Sequence, residues 1–80
     1  MKATMSGSLD NLVKMANQIG AFFETMKDRQ KSLEEIASHL RRFWEPRMRI
    51  ALLAHVDGDA GAGLSEIVLE SIRTHRDRIL

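Results

Sequence analysis

An all-α fold, a small bundle of about four mostly antiparallel helices, is predicted by three features of this 80-residue chain. Apolar residues recur at three- and four-residue steps through four separate stretches, the period of a helix with one buried face. No run of Val, Ile and Thr alternates with polar residues as a half-buried strand would. The breaks between stretches are short and hold the only Pro and three of the five Gly; short connections favour antiparallel neighbours. The spacing predicts helices over 9–26, 32–44, 46–57 and 64–79, forming one domain over 9–80 behind a flexible segment, 1–8.

The first helix follows a small, polar N-terminal stretch in which Ser8 suits an N-cap and Asp10 the first turn. Leu9, Leu12, Val13, Ala16, Ile19, Gly20 and Phe23 make its stripe, and Met15, Phe22 and Met26 widen it. So broad an apolar face needs cover from several neighbours. The charged break Met26 to Lys31 leads to Ser32-Leu33-Glu34-Glu35, a capping-box pattern, with Asp28 an alternative cap one turn earlier. Leu33, Ile36, Ala37, Leu40, Phe43 and Trp44 form the second stripe. Pro46 ends that helix, because it lacks an N–H and disfavours helical dihedrals at Glu45, and it suits the first position of the next. The third helix carries Met48, Leu52, Leu53 and Val56, with Gly58 as its expected stop. After the loop 58–63, Leu64, Ile67, Val68, Ser71, Ile72, His75 and Ile79 line the last helix, with Arg73, Arg76 and Arg78 late in it.

Size and charge exclude several functions. A chain this short buries only about 60–65% of the surface its unfolded form exposes, so its own stability is modest. The absence of Cys excludes a disulfide framework and any Cys-ligated metal. Net charge is +1, from 12 basic and 11 acidic side chains, which is not the basic excess of a nucleic-acid binder. The longest apolar stretch, Ile50 to Ala54, is far too short to span a membrane. With no apolar run of signal-peptide length at the start, a soluble cytoplasmic protein is expected.

Catalytic chemistry finds no foothold. His39, His55 and His75 show neither i, i+4 nor Glu-x-x-His spacing. Glu34 and Glu35 belong to a helix start, and Glu66 and Glu70 to a solvated face; nothing sets two carboxylates in unlike environments, as acid–base catalysis requires. The glycine loop lacks the preceding strand and the following Gly-Lys-Ser/Thr of a phosphate cradle. No catalytic, cofactor or metal residue is expected.

What stands out is Arg41-Arg42-Phe43-Trp44-Glu45-Pro46-Arg47-Met48-Arg49, with four of the eight arginines and the only Trp. Arg47 and Arg49 lie in the first turn of the third helix, where backbone N–H groups already carry partial positive charge and each cation costs about 0.3–1 kcal/mol. Arg, Trp, Phe and Met are enriched at protein interfaces, and Trp and Arg at their energetic centres. Arg41, Arg42, Phe43, Trp44, Arg47, Met48 and Arg49 are therefore the expected partner-binding residues, with Asn17 and Gln18 contributing from the first helix. The alternative is that Arg41 and Arg42 favour a helix C-terminus while Arg47 and Arg49 snorkel or pair with Glu45.

Leu12 to Phe23 (LVKMANQIGAFF), His39 to Arg49 (HLRRFWEPRMR), Gly63-Leu64 and Ile67-Val68 together resemble the small delta subunit of NAD-dependent formate dehydrogenases, over roughly residues 9–76. These are soluble bacterial complexes containing molybdenum or tungsten. The resemblance implies a non-catalytic subunit that assists assembly, stability or cofactor insertion. In that family a large catalytic subunit holds a molybdenum or tungsten bis-pterin guanine dinucleotide centre that oxidises formate. Iron–sulfur clusters then carry electrons to FMN on another subunit, where NAD is reduced. The implied partners are these catalytic and electron-transfer subunits, with no nucleic acid and no membrane. A transient maturation chaperone for the metal-pterin subunit is the rival reading, followed by a small nucleic-acid-binding regulator. The isolated chain could also self-associate through its wide apolar face.

Overall fold

The structure, a computed structural model, describes residues 2–80, with side chains from Leu9 onward. Its helices are α1 (Lys2–Phe23), α2 (Arg29–Phe43), α3 (Pro46–Asp59), α4 (Glu66–Thr74) and the short α5 (Arg76–Ile79), with no strand among the described residues. α1 begins at Lys2, ahead of the expected start at Leu9, so Ser8 lies within the helix and does not cap it; the side chains of the expected flexible segment 1–8 lie outside the described residues.

α2 is the centre of the bundle because its stripe is deepest: Leu33, Ile36, Ala37, Leu40 and, at its C-cap, Trp44 are all buried. Around it pack Ala16 from α1, Leu52, Leu53 and Val56 from α3, Ile67, Val68 and Ile72 from α4, and Ile79 from α5. α1 runs antiparallel to α2, Phe23 lying beside Ser32 and Met15 beside Trp44. α2 and the α4–α5 pair point the same way, Ser71 meeting Leu33 and Arg41 meeting Leu80, as expected when α3 intervenes with its own reversal. α1 crosses close over α4 at Gly20, where an added Cβ would lie 2.6 Å from Val68 Cγ2 and 3.2 Å from Ile67 Cγ2.

Besides the early start of α1, element boundaries differ from the sequence expectation in four places. α1 stops at Phe23, so Met26 lies beyond it. α2 starts one turn early, because the Asp28 carboxylate accepts from the N–H groups of Gln30 (3.0 Å) and Lys31 (3.4 Å). Ser32 is then free to turn inward, and its hydroxyl donates to the Phe23 carbonyl at 2.7 Å, pinning the α1–α2 turn. α3 passes through Gly58 and ends at Ala60, which takes the left-handed conformation (φ 57°) that Gly58 was expected to supply. The last helix breaks at His75 (φ −118°, ψ 32°) into α4 and α5, which redirects Ile79 into the core and lets Arg76 reach α3. There Arg76 makes a bidentate pair with Asp57, at 2.7 and 3.0 Å.

The apolar face of α1 is only partly covered. Ala16 is buried, and Leu12, Val13, Ile19 and Phe23 pack against the core, but Met15, Phe22 and Met26 are exposed. Phe43, the outermost member of the α2 stripe, is 68% exposed.

Candidate partner-docking site

The α2–α3 junction is built by the Trp44-Glu45-Pro46 turn. Trp44 and Glu45 are extended (ψ 139° and 152°), the conformation that a following proline imposes on its predecessor. Trp44 closes α2 by donating its N–H to the Leu40 carbonyl at 3.1 Å, and its side chain turns into the core with 5% exposure. The ring therefore forms the floor of the junction and presents little surface to a partner.

Arg49 is also drawn inside, at 9% exposure, and its guanidinium donates to the Arg41 carbonyl at 2.6 Å. That carbonyl belongs to the last turn of α2, where no intrahelical donor is available and the helix dipole is negative. A cation misplaced for α3 is thus well placed for α2. Arg41 in turn donates to the Leu80 carbonyl and ties the end of the chain to the junction.

The outward residues form a different set. Arg42 is exposed, 6.0 Å from the centroid of the Phe43 ring, which it partly covers. Arg47 is exposed and, with half-buried Met48, lines a cleft against Asn11 and Leu12 of α1. Among the described residues no carboxylate lies within ion-pair distance of Arg42 or Arg47.

Asn17 is occupied within the fold. Its amide donates to the Gly63 carbonyl and its oxygen accepts from the Ser65 N–H, both at 2.9 Å, so it fastens the loop before α4 to α1. Gln18 is exposed one residue on. The structure thus gathers Arg42, Phe43, Arg47, Met48 and Gln18 on the outer side of α1 and the junction, while Trp44, Arg49 and Asn17 act from within.

Residues outside the arginine segment complete this face. Met15, Gln18, Ile19, Phe22, Phe23 and His39, floored by Trp44, enclose a cleft of about 400 Å³ between α1 and α2. Its rings form a chain: Phe22 meets Phe23 edge-on at 5.0 Å, Phe23 lies 6.2 Å from His39, and His39 lies 4.7 Å from Phe43. A sequence signal for it exists in the surplus width of the α1 stripe. Positions 15 and 22 exceed what one bundle neighbour can cover, and they mark an outward stripe as readily as an inward one.

The remaining histidines have ordinary places. The His55 ring nitrogen Nε2 donates to the Ala62 carbonyl at 2.7 Å and steadies the 60–63 loop, with Asp59 3.8 Å from Nδ1. Among the described residues no three His, Asp or Glu side chains gather in a way that could hold a metal ion, and no helix is long and apolar enough to cross a membrane.

No curated protein and no solved structure matches this chain. The profile of one family does match, over residues 11–72, more than three quarters of its length. That span takes in the α1 stripe, the whole α2–α3 junction and most of α4. The chain belongs to the family of the NADH-dependent formate dehydrogenase delta subunit, FdsD.

Proposed function

We propose that this chain is a non-catalytic, cytoplasmic accessory subunit that docks on the catalytic subunit of a formate dehydrogenase and supports its assembly and stability. The metal-pterin, iron–sulfur and flavin groups of the reaction then reside on partner subunits, and this chain contributes a binding face. The observation that carries the reading is the pair Arg42 and Arg47. Both are exposed and without a carboxylate partner among the described residues, beside an exposed aromatic ring, in a chain of the delta-subunit family. Guanidinium groups left free next to aromatic surface are suited to interface contacts.

The test uses Arg42→Glu with Arg47→Glu in the assembled complex. Both side chains are exposed, so the fold tolerates the change. Co-purification with the catalytic subunit should fall by an order of magnitude or more, with helicity unchanged. Undiminished co-purification would remove the arginines from the interface. A delta chain present at one copy per catalytic subunit in active enzyme distinguishes a resident subunit from a maturation factor that leaves.

A further inference from the structure

We propose that the α1–α2 cleft receives an amphipathic helix of the partner subunit, its apolar side seated on Met15, Ile19 and Phe22 and its flanking carboxylates paired with Arg42 and Arg47. This rests on the docking role proposed above and specifies the chemistry of the contact.

Shape is the first ground. The outer stripe of α1, Asn11, Met15, Gln18 and Phe22, repeats at four-, three- and four-residue steps and so runs straight along that helix. It forms one wall of two successive clefts, the first shared with Arg47 and Met48 and the second with His39 and Trp44. The two clefts, one between α1 and α3 and the next between α1 and α2, follow one another along about three turns of α1. Leu12, Met48, Met15, Ile19 and Phe22 give that path an apolar lining that fits a helix laid along it.

Exposure and charge are the second and third grounds. Phe22 is 71% exposed and Phe43 68%, with Met15 and Met26 also accessible; large apolar side chains grouped in this way mark an interaction surface. The walls of the α1–α2 cleft carry no carboxylate. The free cations stand at its margins: Arg42 rides over Phe43, whose ring touches His39 of the wall, and Arg47 lies where the stripe continues past Met15. An occupant with an apolar centre and acidic flanks complements both features, whereas a second copy of this chain would bring the same two arginines against themselves across a two-fold axis.

The experiment places a photo-crosslinking p-benzoylphenylalanine at position 22 of the full chain, within the assembled complex, and maps the crosslinked peptide by mass spectrometry. The expected peptide comes from the partner subunit, has apolar residues at three- and four-residue spacing, and carries Asp or Glu beside them. Phe22→Ala should weaken retention in the complex about tenfold or more, and raising the ionic strength should weaken the wild type but not the Arg42→Glu, Arg47→Glu variant any further. A crosslink to a second copy of this chain, to a partner segment without carboxylates, or to nothing in a complex that retains the chain would overturn the proposal. So would a salt-sensitive affinity for single-stranded RNA that Phe22→Ala abolishes. A wild-type chain that never co-purifies with the complex would instead refute the docking role itself.

Discussion

Arg49 occupies the first turn of α3, yet its guanidinium reports to α2. The cost of a cation near an N-terminal dipole is about 0.3–1 kcal/mol. A charge-assisted hydrogen bond to a carbonyl sheltered from water is worth about 1.5–3 kcal/mol, so the second effect wins. Replacing Arg49 by Met keeps the apolar stem and strands the Arg41 carbonyl. The expected loss is about 1–3 kcal/mol, which a domain of this size shows as a fall in Tm of about 4–8 °C per kcal/mol. Arg42→Met, at an exposed position two residues from Trp44, should leave Tm nearly unchanged. Thermal unfolding of the two variants separates the bracing arginine from the free one; equal effects would mean that the 2.6 Å contact contributes nothing. Trp44 is a poor probe of docking for a related reason. Truncating a buried Trp costs about 3–5 kcal/mol, a large share of what an 80-residue chain possesses, so lost binding would report unfolding.

Between elements, two glycines on α1 and α3 make opposite predictions. At Gly20 a methyl would enter the space of Val68, which is fully buried and cannot swing aside. Overpacking of about 1–3 kcal/mol exceeds the helix-propensity gain of about 0.5–1 kcal/mol. Gly20→Ala should therefore destabilise the protein and loosen the α1–α4 crossing. Gly58 lies inside α3 with nothing within 4 Å of an added Cβ, so Gly58→Ala should stabilise by about 0.5–1 kcal/mol. Urea denaturation reads both signs. The tie between α3 and α5 gives a pH dependence. The hydrogen bond from Arg76 holds the Asp57 carboxyl below its ordinary value of 3.8. Because the folded value is the lower one, the pair adds stability above the unfolded value and loses it as pH falls through the depressed folded value. Both groups are solvent-facing, so the effect is small and screened by salt. Asp57→Asn should lower Tm slightly at neutral pH, and its difference from wild type should vanish in acid below the ordinary carboxylate range. A difference that persists there would assign the effect to something other than the charge.

At the scale of the whole molecule, one side is well sealed and one is left open. Buried Ile, Leu and Val from α3, α4 and α5, with Ala16 of α1, close around α2, and the two buried serines are satisfied, Ser71 by the Leu33 carbonyl at 2.6 Å and Ser32 by that of Phe23. The outer side of α1 keeps Met15 and Phe22 in water. A partner that covers it binds only the folded chain, so docking should raise the apparent stability of this subunit by mass action. The Tm of the chain inside the complex should exceed that of the chain alone, and the Arg42→Glu, Arg47→Glu variant should forfeit the gain. An identical Tm in both settings would mean that the open face is not where the partner sits.

The helical fold, the four principal segments and the family were legible in the sequence, because helix periodicity, the proline junction and the combination of Arg, Phe, Trp and Met are local signals. Asp28 and Ser32 show how far such signals reach. Each can cap, and only the packing of the α1–α2 turn, which brings the Ser32 hydroxyl within 2.7 Å of the Phe23 carbonyl, decides that Ser32 turns inward and Asp28 caps. The break at His75 has no strong local cue; it follows from α5 having to bring Ile79 into the core while Arg76 reaches Asp57. The arginine segment divides for the same reason. Its composition marks it for recognition, but whether a given side chain faces a partner or its own bundle depends on which orphan carbonyl or ring lies within reach. That is a matter of distances between residues far apart in the chain. Arg49 and Trp44 are claimed by the fold, Arg42 and Phe43 are left to the surface, and the cleft of Met15, Phe22 and His39 exists only once α1 lies against α2.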